Sequence, residues 1–337
     1  MNRACAIGCS SRKNCFRPKP SARCACKPEP PMITLQKTGS FFVGGRRVNV
    51  RGEAPYRVTL SSTSTRDYDP NGTYWIEAAY VQYFLQASPR YAVPLVLMHG
   101  GGLTGAMWED TPDGRPGWLQ RLLEARVSVY VVDNVERGRA GFCALDGVWP
   151  DRPLSRSDEE SAKIYRFGYA GHRFPLDAMQ GLSAQTVPRW PGTRALQRQA
   201  LIDVVRRIGP CALLGFSQGG GLVFDAAEAA RDLVRACVAL EPHGAPASFD
   251  AGLPGTPALV VFGDFIEEDQ AWRAHAARAS ASIEAWNAAG GEGVRIDLPA
   301  LGMRGNTHMM MMDENSDDVL RVVLDWLDRC ETARSGL

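Results

Sequence analysis

From about residue 38 onward, short apolar runs alternate with longer stretches of helical period. Pro94-Leu95-Val96-Leu97-Met98 is hydrophobic on both faces, the pattern of an inner parallel strand, and Val127 to Val132, Val234 to Leu240 and Pro257 to Phe262 predict further strands. Leu213-Leu214 leads into a glycine-rich turn, and Val294 to Leu298 supplies a last strand. Between these runs, helices are predicted over Trp118–Ala125, Thr193–Ile208, from Gln218 to about Leu233, over 267–288 and over Asp317–Arg329. Nearer the N-terminus, Ser40–Val43, Gly44-Gly45 and Arg46–Val50 predict a β-hairpin with a two-residue turn, and Tyr74–Phe84 a longer aromatic strand. Strand–helix alternation over about 230 residues, opened by an antiparallel hairpin, predicts an α/β fold with a mostly parallel sheet.

Two segments depart from that pattern. Residues 142–193 lack strand character and mix proline, tryptophan and charge, which predicts a cap or lid inserted into a domain spanning 33–337. Residues 1–32 hold seven Arg or Lys, one acid (Glu29) and five of the nine cysteines, without apolar periodicity. A metal-binding tail, a targeting peptide and a lipoprotein signal ending at Cys9 each fit poorly: the spacing matches no zinc pattern and no apolar signal region is visible. An unstructured or mis-started extension is the expectation, with Met32 as an alternative start.

Charge adds little. The 38 basic and 37 acidic residues are spread along the chain, so neither nucleic acid nor an anionic surface is expected as the main partner. No apolar run reaches membrane-spanning length, and a soluble protein, cytoplasmic on the sequence as it stands, is expected. A homodimer is among the expected assemblies.

The chemistry centres on Gly215-Phe216-Ser217-Gln218-Gly219. Strand, Gly-x-Ser-x-Gly and helix form a nucleophile elbow, in which the serine holds a strained backbone and the two flanking glycines crowd together. A serine hydroxyl needs a base, and the base an orienting carboxylate. Of the five histidines, His99 is placed to shape a glycine loop, whereas His308 lies between the last strand and the last helix, in the order Ser…acid…His. Asp264 and Glu241 both follow strands, and spacing alone leaves the acid open between them. Strand C-termini gather the candidates: His99, Asp133, Ser217, Glu241 and Asp264 each follow one.

His99-Gly100-Gly101-Gly102 supplies amides that can approach a developing oxyanion, with the amide of Gln218 as the second donor. No lysine lies in that run and no Gly-Lys-Ser/Thr follows, so a P-loop is disfavoured; a dinucleotide fingerprint also lacks its acid at the expected interval. Met107, Trp108, Phe142, Trp149 and Trp190 are candidates for an apolar substrate pocket, with ordinary packing as the competing role. Neither a metal nor an organic cofactor is called for.

These residues resemble the α/β-hydrolase superfamily and, more narrowly, bacterial carboxylesterases whose triad acid is a glutamate after the sixth strand. The resemblance rests on His99–Glu109, Thr111–Arg115, Glu136-Arg137-Gly138-Arg139, Val238–Pro242, Val260–Glu268 and Leu298–Gly302 through Asn306–Met311, within roughly Lys37–Leu327. It implies Ser217 as nucleophile, Glu241 as acid, His308 as base, and an oxyanion hole at Gly101, Gly102 and Gln218. Some members carry cysteines in the oxyanion loop; here glycines stand there, so no redox role transfers. The resemblance also implies export to the periplasm or beyond, although the chain shows no signal peptide. The expected function is hydrolysis of a small-molecule carboxylic ester through an acyl-enzyme. Thioester or lactone hydrolysis, a lyase reaction on the same scaffold, and a silent hydrolase-like binding protein are the alternatives.

Overall fold

The largely apolar runs become the middle of an eight-stranded sheet. The structure, a computed structural model, describes residues 32–149, 152–250 and 252–335. Expectations for residues 1–32 lie, apart from Met32, outside the described residues. From Ile33 onward the chain forms one compact unit.

Its elements are β1 (Leu35–Val50), β2 (Tyr56–Ser61), β3 (Ser64–Tyr68), β4 (Gly72–Gln86), β5 (Leu95–Met98), α1 (Trp118–Glu124) and β6 (Val129–Asp133). Then come α2 (Asp158–Ile164), α3 (Met179–Gln185), α4 (Arg194–Ile208), β7 (Cys211–Phe216), α5 (Gln218–Ala229) and β8 (Val234–Leu240). The last are β9 (Pro257–Phe262), α6 (Gln270–Ala288), β10 (Glu292–Asp297) and α7 (Ser316–Ser335). The sheet runs β1-β4-β6-β5-β7-β8-β9-β10. The β1–β4 and β4–β6 pairs are antiparallel and every pair from β6 to β10 is parallel. A separate small sheet pairs β2 with β3.

Period-two alternation divides the core. In β5, Leu95 and Leu97 face a layer holding Trp118 and Leu122 of α1 and Val319 and Val323 of α7. Val96 and Met98 face the opposite layer, with Val204 of α4, Phe224 of α5 and Ile283 of α6. Every residue of β5, β7 and β9 is buried, and each Leu, Ile or Val side chain removed from water contributes about 1.5–3 kcal/mol. That burial makes the parallel centre rigid, and its C-terminal edge carries the loops that hold the chemistry.

One expectation is corrected in detail. An antiparallel pair does open the fold, but its arms are β1 and β4, not the two sides of Gly44-Gly45. The chain crosses those glycines at φ 73° and 88°, opposite Glu77 at φ 64°, and resumes the same register, Gly44 with Ala78 and Arg46 with Ile76. With a fifteen-residue partner pairing along its length, the di-glycine bends the ribbon instead of reversing it. Residues 142–193 give no strand to the large sheet; their described part holds α2, α3 and a single antiparallel bridge between Leu154 and Arg189.

Candidate active site

The turn after β7 is tight enough to exclude side chains. Ser217 sits at φ 51°, ψ −115°, a left-handed conformation that costs an L-residue about 1–3 kcal/mol unless its surroundings hold it. A Cβ on Gly215 would lie 2.3 Å from the Gly219 carbonyl oxygen, and one on Gly219 2.4 Å from that of His99. The strained residue is fixed on both sides: its N–H donates to Leu240 at 2.9 Å, and its carbonyl accepts from the His243 amide at 2.8 Å. α5 begins at Gln218, so the serine stands at a helix N-terminus beside amides with no partner inside the helix.

β8 ends where Glu241, itself at φ 41°, turns its carboxylate into the interior. Oε2 accepts from His308 Nδ1 at 2.5 Å and from Arg166 Nη1 at 2.9 Å; Oε1 accepts from Arg166 Nη2 at 2.5 Å and the Gly263 amide at 2.7 Å. Burial pushes the Glu241 carboxyl up, but the Arg166 charge and the bonds from His308 and Arg166 outweigh it and hold it at about 2. An ionised carboxylate only accepts, so Nδ1 of His308 carries the proton and Nε2 keeps a lone pair. Burial lowers the imidazole to about 4 against the pull of Glu241, and Arg166 opposes that pull. At neutral pH the pair is therefore a neutral imidazole held by an anion. The ring is wedged against Phe216 and Trp272, with centroids 4.5 Å away in each case.

Asp264 does not meet His308. Its Oδ2 accepts from the Gly305 amide at 2.9 Å, its own amide donates to the Asn306 carbonyl at 2.7 Å, and the residue ties down the loop that carries the histidine. Asp313, unremarked in the sequence, tightens the same loop. It accepts from the Thr307 amide at 2.7 Å, the Thr307 hydroxyl at 2.7 Å and Asn306 Nδ2 at 3.1 Å, and burial pushes its carboxyl up to about 7.

The glycine loop is braced by buried side chains. His99 donates from Nδ1 to the Gly100 carbonyl at 2.9 Å and accepts the Asn134 amide on Nε2 at 3.1 Å. Asp133 receives the Gly105 amide at 2.7 Å. The Val187 amide donates to the Gly102 carbonyl at 2.9 Å, joining the 142–193 segment to this loop. A Cβ on Gly101 would lie 2.6 Å from Arg189 Nη1 and 3.0 Å from Gln218 Oε1, so glycine is what permits the approach.

Ser217, His308, Gly101 and Gln218 line one cleft of about 180 Å³. Gly102 lines a neighbouring crevice that shares Arg156 and Arg189. The other walls of the cleft are Arg156, Arg189, Tyr165, Trp272, His243 and His275, with Ile164 and Phe216. The aromatic pocket expected from the sequence is not brought here. Met107 and Trp108 are buried in the core, Trp108 lying 6.0 Å from Trp118 ring to ring. Trp149 and Trp190 pack edge to face at 4.9 Å, Phe142 stacks on Trp190, and none of the three lines the cleft. Arg166, like Asp313, Arg156 and Arg189, carries no signal in the sequence. It sits in the 142–193 segment, fully buried at φ 63°, with its guanidinium 4.2 Å over the Trp272 ring. Among the described residues no group of three or more His, Cys, Asp or Glu is placed to hold a metal ion.

No protein-family model matches the sequence. The chain is 28% identical to a fungal protein described as a probable secreted lipase, phiG (Fungal sp., strain ATCC 74256), over 82% of this chain and 93% of that one. Its fold matches that of a chain solved at atomic resolution and described as a novel bacterial esterase, with a TM-score of 0.76 and 34% identity over 90% of this chain and 100% of that one.

Proposed function

The chain belongs to the α/β-hydrolase superfamily, in the family of that bacterial esterase, and from this premise we propose that it is a serine carboxylesterase acting on small esters. The observation that carries the reading is a buried His308–Glu241 pair at 2.5 Å sharing a cleft with a serine held at positive φ.

Ser217 Oγ attacks the ester carbonyl while His308 Nε2 takes its proton, and the imidazolium so formed is stabilised by Glu241. The amides of Gly101 or Gly102 and of Gln218 receive the oxyanion, each such donor being worth about 2.7–4 kcal/mol in the transition state. His308 returns the proton to the leaving alcohol, and a water activated by the same histidine then releases the acid. Arg166 is a positioning residue: it holds both oxygens of Glu241 and offsets its charge, which keeps the base neutral. The 142–193 segment acts as a cap, supplying Arg156, Tyr165 and Arg189 to the cleft wall and Arg166 beneath it.

The cleft volume is small beside the roughly 300–1,000 Å³ usual for ligand sites, which favours short acyl chains over lipid. The description of the fungal relative as secreted supports export, and among the described residues no helix is long and apolar enough to cross a membrane. Turnover of ethyl butyrate by the wild type and its loss in Ser217→Ala tests the assignment; equal rates in both proteins would reject it.

A further inference from the structure

Two guanidinium groups stand in the cleft wall without an ion-paired carboxylate among the described residues. Arg189 is fixed by its antiparallel bridge to Leu154, whose amide donates to the Arg189 carbonyl at 2.7 Å while the Arg189 amide donates back at 3.0 Å. Val187, two residues earlier, is fastened to Gly102. The segment therefore delivers Arg189 Nη1 to within 2.6 Å of the point where a Gly101 Cβ would be, beside the side-chain oxygen of Gln218. Arg156 leaves the other arm of the same bridge two residues after Leu154. It donates from Nη1 to the Tyr165 hydroxyl at 2.5 Å and lies 5.2 Å over that ring.

Among the described residues neither arginine forms an ion pair, whereas the fully buried Arg137 and Arg166 each hold a glutamate. The nearby acids do not neutralise the wall. Glu241 is held by Arg166. Glu136 is taken up by Arg137, Gln197 and the Trp190 amide. Glu160 is exposed and, like Glu136, favours the charged Arg189 only from a distance, too weakly to offset burial and Arg156. Burial lowers His243, His275 and His308 alike, so the three imidazoles add no positive charge at neutral pH and no negative charge either. Burial and the neighbouring Arg156 also work against the charged form of Arg189. A bound anion relieves that repulsion, and a small neutral ester does not.

We propose that the substrate is a small ester bearing a carboxylate next to the scissile group, bound through that carboxylate by Arg189 and Arg156. The inference rests on the esterase reading and goes beyond it by naming the substrate class. A planar carboxylate matches the guanidinium fork, and its place beside Gly101 sets the carbonyl over Ser217. The carboxylate could belong to the acid half, as in a half-ester of a short dicarboxylic acid, or to the alcohol half, as in an ester of glycolic acid.

Matched pairs test it on the wild-type protein, with acid release followed at constant pH. Monoethyl succinate is compared with ethyl butyrate, and carboxymethyl acetate with ethyl acetate; in each pair a methyl replaces the carboxylate. One charged ester is expected to exceed its neutral match in kcat/KM by about tenfold or more, the size of one charge-assisted bond. The arm in which this occurs identifies which half carries the charge. Arg189→Gln is expected to collapse that ratio towards one, with Arg156→Gln lowering it as well, and added salt should reduce it in the wild type. Wild-type rates on both charged esters at or below those of their neutral matches would overturn the inference and leave the esterase reading intact. Labelling of Ser217 by a fluorophosphonate without turnover of either charged ester would do the same. Absence of both labelling and turnover would instead remove the esterase reading on which the inference stands.

Discussion

Replacing Arg166 with methionine removes one charge from the interior and leaves the serine, its base and the oxyanion loop unchanged in sequence. The guanidinium grips both oxygens of Glu241, at 2.9 and 2.5 Å, in a site with no solvent access. Deleting one partner of such a pair costs about 3–5 kcal/mol of stability, since the carboxylate is left buried and half-answered. The chemical consequence is more specific. In the wild type Arg166 opposes the charged form of His308, which burial already lowers to about 4 from its ordinary 6.5. Without the cation, Glu241 acts on the imidazole against burial and Arg156 alone, and a neighbouring carboxylate raises such a group by about 1–3 pH units. The sign follows directly: a base with a higher pKa is protonated, and so inactive, over a wider acidic range.

The assay is kcat/KM on ethyl butyrate from about pH 4 to pH 9, where the acid limb reports the base in the free enzyme. The wild type should stay active to near pH 4, and Arg166→Met should lose activity one or more units higher, at roughly pH 5–7. Arg166→Lys keeps the charge without the fork and should fall between the two, which guards against a variant that merely folds poorly. Superimposable acid limbs in a folded Arg166→Met protein would refute the argument that this arginine sets the base.

Other outcomes follow from the same geometry. Glu241→Gln should lower kcat by about 10³–10⁴-fold, by analogy with an amide replacing the orienting acid of a triad. Asp264→Asn, which alters the acceptor of the Gly305 and Phe265 amides and leaves Glu241 in place, should cost far less, at most about 10²-fold, the cost of a base displaced by about 1 Å; the reverse ranking, read by steady-state kinetics, would exchange their roles. Asp313→Ala strips the Thr307 amide, the Thr307 hydroxyl and Asn306 of their common acceptor. Each buried donor left alone costs about 1–3 kcal/mol, so thermal melts should show a lower Tm and kinetics a fall in kcat larger than any change in KM.

What the sequence discloses depends on whether a residue's constraint is local. Gly215 and Gly219 are legible because the turn itself forbids a Cβ, and His308 because its place after the last strand brings it to the same sheet edge as Ser217. Strand boundaries are readable for β5, β7 and β9, whose unbroken apolar runs admit few other readings, and for β8, whose run is interrupted only at Arg235. The di-glycine at 44–45 misled, since a two-residue turn and a bend in a paired ribbon ask for the same backbone freedom; only the length of β4 decides between them. Arg166 had no signal at all. An arginine in a segment without periodicity looks solvent-facing until the fold buries it against Glu241 and Trp272. The tryptophans failed for the opposite reason: an aromatic side chain declares that it will be buried, but not on which side of the sheet or beneath which loop. Trp108 and Trp118 went to the core and Trp149 and Trp190 to each other. The cleft wall was left to arginines whose positions are fixed by the Leu154–Arg189 bridge, a contact between residues 35 apart that encloses α2 and α3.

Turnover on this mechanism requires that Ser217 be a nucleophile activated by His308. The most direct measurement of that activation is peptide mass spectrometry after treatment with a fluorophosphonate, on the wild type and on Ser217→Ala and His308→Ala. A single adduct mapped to Ser217, absent from Ser217→Ala and formed far more slowly in His308→Ala, is the predicted result. An adduct on another residue, or labelling of Ser217 at an unchanged rate without His308, would contradict it.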